Sequence, residues 1–285
     1  MKLIESKVEV IDQLPGLEGV YKQIELAGRT CYKSEDKITE DSAKEFVYRM
    51  IKLGHGAMLE HGTVYLEAPE EFIGLHFCKY MDDKYSKVVH HQGLGYWFVT
   101  TNLRVLVENN WLDDLKYICE PTEHHEKRIT ARFTCDMGVG RELTRHRTLS
   151  FAQESTRYCN YSKSKFGAEL TFICPEWYKK TLENTHAGFE RFLEEAQEIY
   201  ITLLDQGYTA QEARQVLPLA LKTEIVVTGF ESDWKHFFKL RTSGAAHPDM
   251  RKLAINLKEQ LYGFDEKTEG CGESSGTNDV TSTAA

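Results

Sequence analysis

Residues 145–158 read Arg145-His146-Arg147-Thr148-Leu149-Ser150-Phe151-Ala152-Gln153-Glu154-Ser155-Thr156-Arg157-Tyr158, and the rest of the chain is best read outward from them. With the preceding Gly140-Arg141-Glu142-Leu143-Thr144, the stretch places four arginine or histidine side chains within seven positions. On a helix or at its end, Arg145 and Arg147 point about 200° apart at 3.6 residues per turn. One cluster can therefore face two ligands, or one ligand and a neighbouring subunit. Ser155, Thr156 and Arg157 add hydroxyls, backbone amides and a guanidinium, a set suited to a phosphate dianion. The plainer alternative is a solvated basic patch followed by a polar loop.

Around this stretch the apolar pattern marks out elements. Leu3 to Ile11 alternates like a half-buried strand. Asp41 to Leu53 has helical spacing, with Asp41 or Ser42 as N-cap and Gly54 as its end. Thr63 to Ala68 reads as a strand closed by Pro69, and Arg128 to Cys135 as a second strand. The residues between, 70–127, carry Tyr96-Trp97-Phe98-Val99, Leu103 to Val107 and Trp111 to Tyr117. They are too apolar for a loop and read as a structured insertion, an added hairpin or helix at a subunit contact. Glu183 to Leu204 is a long amphipathic helix. Thr209 then opens a helix as N-cap, with Glu212 at the capping-box position. Glu224 to Phe230 fits a strand or a buried helix equally well at that length. Ser232 or Asp233 caps a short helix through Leu240, and Pro248 starts a last one ending near Tyr262-Gly263. From Glu266 to Ala285 almost nothing is apolar, which predicts a disordered tail.

Composition narrows the function. The 285 residues are 41% hydrophobic and 28% charged, with a net charge of −9. That is ordinary globular composition, and its acidity opposes broad nucleic-acid or acidic-membrane binding. No apolar run approaches the roughly 18–20 residues of a membrane helix, and the first residues lack a signal peptide's apolar core. A cytoplasmic protein is expected. The seven cysteines include no CxxC pair. The doublets His90-His91 and His124-His125 lack the spacing that puts two imidazoles on one helix face. No metal site is expected.

The order Arg-His-Arg, seven residues, Ser resembles the signature of the flavin-dependent thymidylate synthases, continued here by Thr156-Arg157-Tyr158. Gly54-His55-Gly56-Ala57-Met58-Leu59-Glu60-His61 resembles that family's GHxxxxEH segment. Ala213-Arg214-Gln215-Val216-Leu217-Pro218 resembles its ARxVLP segment. Leu240-Arg241 and His247 resemble its closing arginine and histidine. The resemblance implies an α+β fold, a mixed and mainly antiparallel sheet flanked by long helices. It implies a single domain over 1–265, with 70–127 inserted and 266–285 as tail. The implied reaction is methylation of dUMP to dTMP, with methylenetetrahydrofolate as carbon donor and FAD relaying reducing power from NADPH. The implied assembly is a homotetramer with active sites shared between subunits.

Roles follow from the same resemblance. Arg241 is the catalytic arginine: a guanidinium against the uracil O2/N3 edge makes C5 nucleophilic. Glu142, Arg145, Gln153, Glu154, Ser155, Thr156, Arg157, Arg214 and Arg241 contact dUMP. His55, Ala57, Arg145, His146, Arg147, Gln153, His236 and His247 hold FAD, the cationic donors favouring the anionic reduced flavin. The plainer role for Arg214 is a helix salt bridge with Glu212 or Glu224. Ala57 stands where relatives often carry a hydroxyl, Phe230 and His236 where some carry asparagine, and Ala220 replaces the asparagine of an LPLN run. A conventional thymidylate synthase needs a cysteine nucleophile in a Pro-Cys-His setting. Here the only Cys-Pro neighbours are Cys174-Pro175, and Cys159 is the one cysteine near the pocket. The competing readings are a related pyrimidine nucleotide hydroxymethylase and a non-catalytic nucleotide-binding module.

Overall fold

The computed structural model describes residues 1–162, 169–180 and 187–263. Its elements run β1 (Lys2–Ile4), β2 (Lys7–Ile11), α1 (Gly16–Tyr32), α2 (Ser42–Lys52), α3 (Gly56–Leu59), β3 (Thr63–Pro69) and α4 (Glu70–Ile73). There follow β4 (Lys87–His91), β5 (Tyr96–Asn102), α5 (Leu103–Glu108), β6 (Arg128–Asp136), α6 (Met137–Leu143), β7 (Ser150–Gln153) and β8 (Thr171–Ile173). The last are α7 (Glu176–Lys180), α8 (Ala187–Asp205), α9 (Ala210–Ala213), β9 (Lys222–Phe230), α10 (Glu231–Arg241) and α11 (Pro248–Tyr262).

A four-stranded antiparallel sheet in the order β2-β6-β9-β7 forms the centre. The 224–230 ambiguity resolves as strand, within β9, because Thr223, Ile225, Val226, Val227 and Thr228 are β-branched and both faces of a central strand are covered. One face of the sheet carries Phe133, Ile225 and Val227 against Trp234, Phe237, Met250 and Leu253 of α10 and α11. The other face sets Ala152 and Val226 against Ala27 of α1. Trp234 is fully buried, and its indole N–H donates to the Ile129 carbonyl at 3.0 Å, so its burial leaves no donor unmet.

Strands β4 and β5 of the 70–127 segment join β3 in a second sheet, β3-β5-β4, antiparallel throughout. Phe77, Tyr80 and Trp97 of the same segment fill a core with Val64, Leu66 and the α1–α2 pair. Most of the aromatics that mark this segment are thus core, while Phe72, Leu75 and Met81 stand exposed.

Three local expectations change. Leu3–Ile11 is two strands, not one. β1 pairs in parallel with β8, β2 pairs antiparallel with β6, and the chain changes sheets at Glu5-Ser6. α10 is not capped by Ser232 or Asp233. It grows directly out of β9 with Phe230 at the cap position, and the Glu231 amide donates to the Lys127 carbonyl at 2.9 Å. The Thr209–Glu212 capping box is present, yet α9 lasts only four residues before a tight turn over Arg214–Val216. The expected tail 266–285 and the first residues of the Glu183–Leu204 helix lie outside the described residues.

Candidate active site

α6 starts where the Asp136 side chain accepts the Val139 amide at 2.8 Å, and it ends at Leu143. Arg145-His146-Arg147 therefore lies beyond the helix, in a tight turn where the His146 amide donates to the Leu143 carbonyl at 3.0 Å. The turn aims His146 inward, edge-on to Phe237 at 5.0 Å, and leaves Arg145 and Arg147 exposed. Burial, reinforced by Arg241 and His236, lowers the His146 imidazole to about 4. It is neutral at pH 7 and accepts a hydrogen bond at Nε2 from Arg241 Nε at 2.9 Å, so its proton sits on Nδ1. Of the three residues expected at the flavin, His146 is thus a neutral ring that orients Arg241.

Arg241 closes α10. Its Nη1 pairs with Glu142 Oε2 at 2.5 Å, and its Nη2 donates to the Glu142 carbonyl at 3.2 Å. Three fixed points hold one planar fork, and its remaining N–H groups are left to face a ligand. Glu142 is thereby committed to Arg241. His236 is exposed on the same helix, and His247 is exposed at the N-terminus of α11, with Nδ1 3.7 Å from Asp249 Oδ2.

A second cluster lies at the other end of β7. Ser155 Oγ accepts the Arg157 amide at 3.3 Å, Arg157 Nε donates to Gln211 Oε1 at 2.9 Å, and Arg214 Nη1 donates to Thr156 Oγ1 at 3.3 Å. The salt bridge weighed for Arg214 is not made: Glu212 serves its capping box, and Glu224 pairs with lysines. Most neighbouring amides are also engaged, Glu154's with the Glu224 carbonyl at 2.8 Å and Ser155's with the Cys31 carbonyl at 2.9 Å. Side chains thus carry most of the anion-binding capacity of this loop. Gln153 turns its amide toward α6, donating to Thr223 Oγ1 at 3.2 Å beside Gly140.

Glu154, expected at the nucleotide, sits behind the loop at 3% exposure. Its carboxylate accepts Tyr161 OH at 2.9 Å and pairs with Lys222 at 2.8 Å and Lys33 at 3.9 Å. Glu224 joins through Lys33 at 2.7 Å and Lys222 at 2.9 Å. Burial would raise the Glu224 carboxyl, but the two lysines hold it at about 2. A buried acid so fully used cannot also face a phosphate; its part is to brace the loop. Sequence reading missed Lys33, Lys222, Glu224 and Tyr161, for the partners lie far apart in the chain. The only local signal is a run of charges at the start of an apolar strand.

The third cluster is a cleft of about 330 Å³ bordered by His55, Ala57, Met58, Cys31, Tyr32 and Arg104. It adjoins the second: Cys31 bonds Ser155, and the Tyr32 ring lies 5.5 Å from that of Tyr158. His61, by contrast, is buried in the fold, with Nδ1 2.8 Å from Thr228 Oγ1. Among the described residues Arg145, Arg147, Arg157 and Arg214 make no ion pair with a carboxylate, whereas Arg29, Arg104, Arg132 and Arg241 do. Among the described residues no group of three or more potential metal ligands occurs, and no helix is long and apolar enough to cross a membrane.

Residues 118–264 match the family model described as "Thymidylate synthase complementing protein". The chain belongs to this family. The matched segment contains every motif from Glu142 to His247, while His55 and Ala57 precede it. Among curated relatives, a flavin-dependent thymidylate synthase of Pyrococcus furiosus is 32% identical over 132 residues, 46% of this chain and 53% of that protein. One from Corynebacterium aurimucosum is 26% identical over 251 residues, 84% of this chain and 74% of that protein. The chain spans about half the length of the first curated relatives it matches. A crystal structure of a UMP/dUMP methylase, PolB, from Streptomyces cacaoi bound with 5-Br dUMP covers 92% of both chains at 19% identity and a TM-score of 0.44. That likeness is too loose to bear on the site.

Proposed function

We propose that this family member methylates dUMP to dTMP, with methylenetetrahydrofolate as carbon donor and FAD and NADPH as the reducing system, without a cysteine nucleophile. The observation that carries the reading is the set of arginines. In a chain of net charge −9, Arg145, Arg147, Arg157 and Arg214 stand without carboxylate partners among the described residues. Arg241, in the same cluster as His146, is fixed by Glu142 and by the His146 ring. Guanidiniums kept from internal ion pairs remain available to anionic ligands.

In this reading Ser155, Thr156, Arg157 and Arg214 bind the nucleotide phosphate, and Gln153 lines the base. Arg241 presents its outer N–H groups to the uracil O2/N3 edge, where charge accumulates as C5 becomes nucleophilic. Glu142 and His146 hold that guanidinium in plane. A flavin fits the donor set: exposed Arg145 and Arg147 offer cationic N–H groups, His55 and Ala57 border an open cleft, and His236 and His247 are exposed at the outer edge. When bound, the flavin supplies the hydride that converts the transferred one-carbon unit to a methyl group.

β7 is four residues long and at about 3.3 Å per residue separates the Arg241 cluster from the phosphate loop by about 13 Å. That separation, with the outward aim of Arg145 and Arg147, supports sites completed by a second copy, as in the homotetramer that the family resemblance implies. Cys31, Cys78, Cys119, Cys135 and Cys174 are thiols, which suits a reducing cytoplasm. Burial pushes the Cys31 thiol up to about 12, so it is not a thiolate nucleophile at neutral pH. The deciding experiment is mass spectrometry of the product from dUMP, methylenetetrahydrofolate and NADPH. dTMP supports the reading; 5-hydroxymethyl-dUMP selects the hydroxymethylase, and unchanged dUMP a binding module.

A further inference from the structure

Beside the His55 cleft lies another, of about 510 Å³, between the end of α1 and the face of α2. The two share Tyr32 and His55. Arg29, Ser34, Lys37 and Arg49 line the second cleft, Phe46 contributes an apolar wall, and no acidic residue lines it. None of the roles above uses these cations.

Phe46 shows why the arrangement is incomplete. Its ring has the Arg29 guanidinium 4.9 Å from its centroid and the Arg49 guanidinium 5.3 Å from it. One cation over an aromatic face is favourable, but two at one ring repel each other. Arg29 is relieved by Glu25, which accepts from its Nε at 3.1 Å and its Nη2 at 2.9 Å. Arg49 and Lys37 have no such relief: among the described residues no carboxylate lies within ion-pairing distance of either. An anion held by Arg49 and Lys37 would supply the missing negative charge and meet guanidinium and ammonium donors together. The Ser34 hydroxyl borders the same space.

We propose that this cleft docks the anionic tail of a co-substrate whose ring system approaches the flavin site bordered by His55. The inference rests on the functional reading above, because that reading supplies the class of ligand. Two co-substrates of that class carry such a tail: the glutamyl carboxylates of the folate and the ribose phosphate that distinguishes NADPH from NADH. Both present anionic oxygens at a distance from a planar ring.

The test uses the full chain with its flavin and the variants Arg49→Gln, Lys37→Gln and the double substitution. Both side chains are exposed, so melting temperatures should match wild type. Equilibrium dialysis then measures affinity for mono- and polyglutamylated folate, for NADPH and NADH, and for dUMP. Each single variant should weaken one tailed ligand about tenfold, the loss of one charge-assisted contact. A loss confined to folate and growing with glutamate number assigns the cleft to folate, and a loss for NADPH without one for NADH assigns it to the phosphate. Unchanged affinities throughout overturn the inference, and so does an equal loss for dUMP, which marks a general field effect. Wild-type protein that binds dUMP but neither tailed ligand overturns the inference alone. Failure to bind dUMP as well overturns the functional reading beneath it.

Discussion

Replacing Arg241 by lysine keeps the charge and removes the fork. The guanidinium has three anchors: Glu142 Oε2 at 2.5 Å, His146 Nε2 at 2.9 Å and the Glu142 carbonyl at 3.2 Å. An ammonium on a shorter stem can keep the carboxylate but not the other two. Hydrogen bonds involving a charged group contribute about 1.5–3 kcal/mol each when well shielded. Here the side chains of Arg241 and Glu142 are 18% and 33% exposed, so screening reduces each lost bond to about 1 kcal/mol. Two lost bonds come to about 2 kcal/mol, roughly thirtyfold in rate if they hold the group in its reactive geometry. Arg241→Lys should therefore lower kcat for dTMP formation at least about thirtyfold. The flavin spectrum and the melting temperature should stay near wild type. Steady-state turnover at saturating substrates provides the assay. A lysine variant turning over within about threefold of wild type would refute both the catalytic assignment and the importance of the fork.

Stability should fall with acid in a defined window. Burial and then Arg128 lower the His61 imidazole to about 3, and His146 stands at about 4, against an ordinary value of 6.5. Below pH 6.5 the unfolded chain takes up protons that the folded one refuses, so stability declines by at most about 1.4 kcal/mol per pH unit for each histidine until about pH 4. Urea unfolding from pH 7 to 4.5 measures the slope, and a flat profile contradicts the buried neutral assignments. At the α1–α2 crossing, a Cβ on Gly28 would meet Phe46 Cζ at 2.4 Å. Gly28→Ala gains about 1 kcal/mol of helix propensity but overpacks a ring by about 1–3 kcal/mol, so a lower midpoint is expected, and a higher one would show that Phe46 can move. Cys159 is buried with Phe172, Leu193 and Tyr200, and Cys159→Ser should retain turnover. Lost turnover with an unchanged melting temperature would reinstate a nucleophilic cysteine.

What could be read from the sequence was whatever local chemistry writes locally. The Thr209–Glu212 box, the Pro248 start of α11 and the strand at 128–135 depend on neighbours in the chain. Helix α1 has no comparable signature, because Gly16, Gly19 and Gly28 dilute its pattern. At Gly19 and Gly28 the glycine answers tertiary contact: an added Cβ would meet the Leu14 carbonyl oxygen at 1.7 Å and the Phe46 ring at 2.4 Å. The Arg-His-Arg stretch was legible as a charged cluster, but its division into two exposed arginines and one buried neutral histidine was not. That division depends on Phe237 and Arg241, supplied by α10 from the other end of the sequence. Glu154 misled for a related reason: beside Ser155 in sequence it looked like part of the loop, and only Lys222, Lys33 and Tyr161 reveal it as the brace beneath.

The most direct test of the central claim is anaerobic stopped-flow spectroscopy of the reduced flavoprotein mixed with methylenetetrahydrofolate. Flavin re-oxidation is expected only when dUMP is present, with dTMP formed in step and re-oxidation lost in Arg241→Ala although flavin remains bound. Re-oxidation at the same rate without dUMP, or a protein that binds no flavin, would contradict the claim.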